Sequence, residues 1–386
     1  MAKIPYLFAL TPLRGIAALA IVLHHCHRLL TPLTTRTTGL IEQAYLAVDF
    51  FFMLSGFVLA HRYSQSFTER IDTPAYWSYV KARCRRILPL YYVSLLLTAG
   101  CVYGFLLPNA SGLNQYWQSV FSTKGLLSSL FLVQGFPLSA VTVWNIPSWS
   151  LSVEWWVYLV FPYLWHRLIR PLQTTPQLMA AAGGIVGAYA GLIYYLSPTY
   201  GTFHLTNLDL ATDFGFVRCL LGFVLGLITY RVYQQKAMKW LAGAYGTVGT
   251  PLVIGCYILL AMHQQWPDLG IIVFFPLLIL GAVDAQDTLR PILSRPAVQW
   301  FGNVSYATYL THMTLVYFTI ATILPGSPTL LAAEGTGPAN TPDLLLGWRL
   351  AGPVVLFSLP LAGLFYAYVE KPLRQSRPRK KSEIAA

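Results

Sequence analysis

The stretch from Leu10 to Leu30 reads LTPLRGIAALAIVLHHCHRLL, an apolar run that holds one arginine near its start and three histidines and a second arginine near its end. A helix needs about 20 such residues to cross the hydrocarbon core of a bilayer. The pattern returns along the whole chain, near 10–30, 44–62, 87–107, 147–166, 178–196, 213–230, 240–262, 269–285, 303–323 and 347–368. Composition agrees with that reading. The 386 residues are 55% hydrophobic and 10% charged, with a mean hydropathy of +0.54, whereas a soluble domain carries about a quarter charged residues. Such a chain cannot cover a water-facing surface, which excludes disordered, collagen-like, coiled-coil and simple cytosolic classes. The sequence therefore predicts an all-α fold, a polytopic transmembrane helical bundle of about 10 spans.

Charge placement sets the expected topology. With ten spans and the N-terminus inside, 21 of the 26 Lys and Arg residues fall on the cytoplasmic side. Three, Arg28, Arg36 and Lys124, lie outside, and Arg218 and Arg349 sit near outer helix ends. An eleventh apolar stretch, 126–143, is broken by Gly135 and Pro137. If it crossed, every later loop would change sides and the bias would collapse, so it reads as re-entrant and both termini as cytoplasmic. The net charge of +12 is thus topogenic, and no nucleic-acid partner is expected. The five cysteines, Cys26, Cys84, Cys101, Cys219 and Cys256, are scattered singly, so neither a metal site nor a disulfide is expected. Arg14 interrupts the run a signal peptide would need, so the first segment reads as retained. The chain divides into a membrane domain, 1–372, and a basic cytoplasmic tail, 373–386, held to anionic membrane lipids. No internal repeat is visible, which weakens a transporter built from inverted halves.

Ionisable residues inside apolar segments are costly and mark functional sites by default. Eleven residues separate Arg14 from His25, which on a helix leaves them within about 20° on one face and roughly 16 Å apart along the axis. Asp49, Glu154 and Arg218 fall within roughly 7 to 11 Å of the outer interface by residue count, and His25 lies at a similar level. His312 sits nearer the midplane. A histidine with flanking carboxylates and a cation is an inventory for proton transfer. Each has a plainer alternative: His24 and His27 as interfacial residues, Glu154 as an ion-pair partner of Arg218, and Asp49 as an acceptor of amides at a helix start. Most Trp and Tyr read as an interfacial belt. The inner loop Lys81-Ala-Arg-Cys-Arg-Arg86 is either a topogenic cluster or a phosphate clamp, since guanidinium forks match phosphate oxygens.

At these residues the chain resembles the membrane acyltransferase family 3, integral-membrane enzymes that O-acylate bacterial glycans. The resemblance is carried, in order, by Thr11-Pro-Leu-Arg-Gly-Ile-Ala-Ala-Leu-Ala20 running to His25, Val48-Asp-Phe-Phe-Phe-Met-Leu-Ser-Gly-Phe57, Arg83-Cys-Arg-Arg-Ile-Leu-Pro-Leu-Tyr91, Pro147-Ser-Trp-Ser-Leu-Ser-Val-Glu-Trp155, Phe301-Gly-Asn-Val-Ser-Tyr-Ala-Thr-Tyr-Leu-Thr-His312 and Val369-Glu-Lys-Pro372. The family's Arg, ten residues, His pattern falls on Arg14 and His25, and its Arg-x-x-Arg pattern on Arg83 and Arg86. Three departures stand out. Thr11-Pro12 replaces the family's usual Asp before Leu-Arg-Gly, Met313-Thr314 replaces its Trp-Pro, and the hydrolase-like C-terminal extension of some members is missing. The acceptor is then expected to be handled by the membrane domain alone or by a partner.

The resemblance implies an acyl-CoA-dependent O-acyltransferase of the bacterial cytoplasmic membrane. It would move an acyl group, acetyl by preference, from acyl-CoA to a hydroxyl of a lipid-linked or exported saccharide. The expected assignments are His25, Glu154 and Asp49 as catalytic residues, with His25 as general base or transient acyl acceptor. Arg14, Arg83 and Arg86 are expected on the donor phosphates, and Arg218, His312, Ser152 and Trp149 at the substrate. Acyl-CoA (acetyl-CoA) is a co-substrate, not a resident cofactor. The alternative is a proton-coupled transporter or flippase of a lipid-linked sugar using the same buried groups as a relay.

Overall fold

The computed structural model describes residues 5–30, 32–34, 38–109, 121–136, 144–200, 214–236, 246–323 and 344–375. Among the described residues all regular structure is helical. The principal helices are α1 (Leu10–Leu29), α2 (Ala47–Tyr63), α3 (Thr73–Cys101), α4 (Thr123–Leu130), α5 (Ser148–Tyr163), α6 (Thr175–Tyr200), α7 (Gly215–Gln235), α8 (Gly249–His263), α9 (Phe275–Ala285), α10 (Pro296–Asn303), α11 (Ser305–Ile323), α12 (Leu344–Phe365) and α13 (Lys371–Gln375). All ten predicted segments contain helix. Six helical stretches are both long and apolar enough to cross a membrane: Glu42–Phe67, Thr73–Leu106, Thr175–Tyr195, Gly215–Gln235, Asp268–Ala285 and Leu344–Arg374. The remaining predicted segments form α1, α5, α8 and α11, of which α8 has only 15 residues. Of the 126–143 stretch, α4 and the turn after it are described, while 137–143 lie outside the described residues.

One boundary differs from the sequence reading in a way that shapes the site. Arg83 and Arg86 stand within α3, not in a loop, because the helix begins at Thr73. Asp72 caps it, its carboxylate accepting from the Ala75 amide at 3.3 Å, and Pro74 occupies the first turn, where a missing N–H costs nothing. Apolar content sees only the buried part of such a helix; the cap marks its true start. Arg83 and Arg86 are thereby three residues apart on one helical face, while Arg85 turns outward and is exposed.

The stretches around α2 and α7 are the most enclosed, 72% and 67% buried over their apolar windows, against 17% for α6 and 28% for α12 at the periphery. The central pair packs backbone against backbone: a Cβ on Gly226 would collide with the Met53 carbonyl, and one on Gly56 with that of Phe223. Small residues permit such approach in helices that have no water-driven force between them. A similar close contact holds α10 to α1, where Gly302 lies against the Thr11 carbonyl. Two apolar clusters fill the interior, and they meet along α1 and α11. Ile21 and Leu310 belong to one, Cys26 and Met313 to the other. His25 and His312 stand at that junction.

Candidate functional site

The predicted site residues fall into three of the polar assemblies in the interior. The first is a pair of imidazoles. His312, fully buried on α11, donates from Nδ1 to the carbonyl of Thr308 one turn earlier, at 3.1 Å. A carbonyl can only accept, so the neutral ring carries its proton on Nδ1 and its lone pair on Nε2. That Nε2 lies 3.0 Å from His25 Nδ1, which must therefore donate. By elimination the lone pair of His25 is on Nε2, and His25 is the partly accessible member of the pair. The main chain of α11 thus fixes which nitrogen of His25 is basic. The neighbouring histidines are tied to backbone: His24 Nδ1 to the Ile41 carbonyl at 3.1 Å, and His27 Nδ1 as acceptor of the Leu33 amide at 2.9 Å.

The second assembly is an ion pair. Arg218 Nε and Nη2 meet Asp49 Oδ1 and Oδ2 at 3.0 and 2.5 Å, with both side chains buried. The guanidinium lies over the Tyr45 ring at 5.9 Å and the Trp149 ring at 5.7 Å, and Tyr189 donates to the Arg218 carbonyl at 3.2 Å. This corrects two expectations. Asp49 neither bonds nor orients His25, and the partner of Arg218 is Asp49, not Glu154. Trp149 is the aromatic wall of this ion pair. Ser152 is committed as well, accepting the Gly135 amide at 3.0 Å and donating to the Trp149 carbonyl at 2.7 Å, which pins the turn after α4.

The third assembly lines a cavity of about 90 Å³ bounded by α1, α2, α3, α5 and α11. Arg14, Arg83 and Arg86 line it, with Ser55, Glu154, Tyr158, Ser305 and Tyr309. Glu154 accepts from the Ser55 hydroxyl and, at 2.6 Å, from the Tyr158 hydroxyl one helical turn on. It thus belongs with the arginines and does not touch His25. Arg14 and Arg86 make no hydrogen bond among the described residues. Arg83 gives Nη2 to the Tyr63 hydroxyl at 2.9 Å, yet its buried Nε has no partner among the described residues, and neither has the Ser305 hydroxyl. Three cations against one carboxylate, with donors left over, make this an anion-receptive cavity.

Tyr309 joins the cavity to the imidazoles. It lines the cavity, bonds to the Ser150 hydroxyl at 2.7 Å and the Pro147 carbonyl at 2.9 Å, and its ring lies 6.2 Å from that of His312. Sequence reading missed Tyr309 and Tyr158, although the spacing of three from Tyr309 to His312 and of four from Glu154 to Tyr158 places each pair on one helix face.

The sequence profile of an acyltransferase domain matches residues 8–369. The chain belongs to the membrane acyltransferase family 3. It is 27% identical over 400 residues to the acyltransferase MdmB of Streptomyces mycarofaciens, covering 98% of this chain and 94% of that one. A protein of Staphylococcus aureus (strain COL), provisionally named an O-acetyltransferase, is 22% identical over 335 residues, 82% of this chain. This chain spans only 52% of that staphylococcal protein's length. A protein known by its place in the picA locus of Rhizobium radiobacter is 42% identical over 99 residues, 25% of this chain and 47% of the other. No solved structure matches the chain.

Proposed function

We propose that this membrane acyltransferase transfers an acyl group, acetyl by preference, from cytoplasmic acyl-CoA to a hydroxyl of a lipid-linked or exported saccharide. The observation that carries the reading is the adjacency of two sites. Arg14 and Arg86, without hydrogen-bond partners among the described residues, line a cavity whose Tyr309 wall is one turn of α11 from His312 and hence from His25. The donor phosphates would lie on Arg14, Arg83 and Arg86, with the extended pantetheine arm directed past Tyr309. Membership in an acyltransferase family supports this reading over a transporter or flippase.

His25 Nε2 takes the proton of the acceptor hydroxyl as its oxygen attacks the thioester carbonyl. The C–O bond forms, the C–S bond breaks, and the proton passes to the departing thiolate. His312 Nε2, accepting from His25 Nδ1, steadies the transient imidazolium and holds the ring in register. In the same reading the chain spans the bacterial inner membrane ten times with both termini inside. The arginine cavity faces the cytoplasm, residues 1–372 form the enzyme and 373–386 a basic tail.

The test is donor kinetics in sealed vesicles, read as thiol release from acetyl-CoA in the presence of acceptor glycolipid. Replacing Arg83 and Arg86 together by Gln should raise the acetyl-CoA KM by more than about tenfold, since charge-assisted pairs to phosphate are worth roughly 1.5–3 kcal/mol each. An unchanged KM would leave the pair merely topogenic.

A further inference from the structure

Two side chains beyond α12 take no part in the site described so far. Glu370 closes the π-helical turn Tyr366–Glu370, and its side chain is only 3% exposed. One carboxylate oxygen, Oε1, accepts from Arg374 Nη1 at 2.9 Å, while the other, Oε2, is buried with no partner among the described residues. A buried carboxylate with an idle oxygen is expensive, and structures keep one only where it holds something in place. Arg374, on the short helix α13, is 34% exposed, and Glu370 is its one hydrogen-bond partner among the described residues.

Neither group lines the arginine cavity, but both lie close to it. The turn and α13 pack against α3, which carries Arg83 and Arg86. Arg374 and Glu370 lie within electrostatic reach of Arg14 and Arg86. A cation placed near two like charges is repelled unless an anion compensates, and Glu370 is the carboxylate in contact with it. A guanidinium has five N–H donors in a fixed fork; the contact at Nη1 leaves the rest for another anion.

We propose that Arg374 is a fourth arginine for the donor's phosphates, held at the mouth of the cavity by Glu370 as a positioning residue. The inference rests on the reading of the donor as acyl-CoA. The nucleotide end of such a donor bears a 3′-phosphate and a diphosphate, together about four negative charges at neutral pH. Arg14, Arg83 and Arg86 against Glu154 leave two net positive charges. Arg374 supplies a further cation at the partly exposed side, where the nucleotide would remain outside a cavity too small to enclose it.

The experiment titrates adenosine 3′,5′-bisphosphate into the purified full chain by calorimetry, alongside KM measurements for acetyl-CoA and for acetyl-pantetheine, which lacks every phosphate. Arg374→Gln should weaken bisphosphate binding about tenfold and raise the acetyl-CoA KM by a similar factor at little cost in kcat, narrowing the KM ratio between the two donors. Glu370→Gln, which keeps an acceptor for Arg374 but removes a negative charge near the phosphates, should bind the bisphosphate at least as well as wild type, and Glu370→Ala, which leaves Arg374 unheld, should bind it severalfold more weakly than Glu370→Gln. Equal binding by the two variants would overturn the positioning role of Glu370. If Arg374→Gln is poorly folded, Arg374→Lys keeps the charge without the fork and should bind between wild type and the Gln value. Wild-type affinity in Arg374→Gln, with binding weakened in Arg83→Gln/Arg86→Gln, would overturn the role of Arg374 alone. Absence of bisphosphate binding by the wild type would overturn the donor reading itself.

Discussion

His25 Nδ1 and His312 Nε2 stand 3.0 Å apart although 287 residues separate them in the chain. Because the Thr308 carbonyl fixes the His312 tautomer, the hydrogen bonds of the pair run in one direction and the remaining ring lone pair is on His25 Nε2. His312→Ala should therefore lower kcat by about 10²-fold, within the usual range for a positioned acid–base group, and leave the acetyl-CoA KM nearly unchanged. His25→Ala should abolish transfer. Vesicle assays at matched protein levels check both, and a His312→Ala enzyme at wild-type kcat would remove His312 from the mechanism.

Glu154 is expected to act on donor binding. Its carboxylate is held by Ser55 and Tyr158 beside Arg14, Arg83 and Arg86. Glu154→Gln keeps acceptor capacity and removes one negative charge from an anion-receptive cavity. The acetyl-CoA KM should fall by a factor of about 2 to 10, as expected for a unit charge a few ångströms away in a partly polar interior. A collapse of kcat with unchanged KM would instead return Glu154 to the chemistry at His25.

Asp49 and Arg218 should behave as a structural pair. Removing one partner strands a buried charge and costs about 3–5 kcal/mol, whereas removing both is far milder. Asp49→Leu and Arg218→Met should each give little folded protein, and the double variant more than either. Thermal unfolding in detergent measures this; strict additivity of the two losses would contradict the pairing.

The α2–α7 and α1–α10 contacts give a further expectation. Gly226→Val and Gly302→Val place side chains against the Met53 and Thr11 carbonyls, forcing the helices apart at a cost of about 1–3 kcal/mol or more. Both should lower the unfolding temperature. Gly183→Val, on an open face of α6 where a Cβ meets nothing within 4 Å, should not.

Much of this architecture is legible in the sequence because the bilayer demands it. Apolar runs of spanning length place helix in all ten segments, and the spacing of eleven puts Arg14 and His25 on one face of α1, where the structure has one lining the cavity and the other bonded to His312. Partnership among buried polar groups is not legible in the same way. Counting residues from a helix end gives depth but not azimuth, so His25, Asp49, Glu154 and Arg218 look like one cluster at one level. The fold distributes them over three assemblies because Asp49 and Ser55, six residues apart on α2, face different neighbours. The extent of α3 was hidden for another reason: its first turns are amphipathic and rich in arginine, and only Asp72-Thr-Pro74 signals the start.

The most direct test of the central claim is mass spectrometry of cell-surface glycans from cells carrying the wild-type chain or His25→Ala at matched membrane levels. The expected result is a mass increment of one acyl group on a saccharide, present with the wild type and lost in the variant. The same increment in His25→Ala cells would contradict the account.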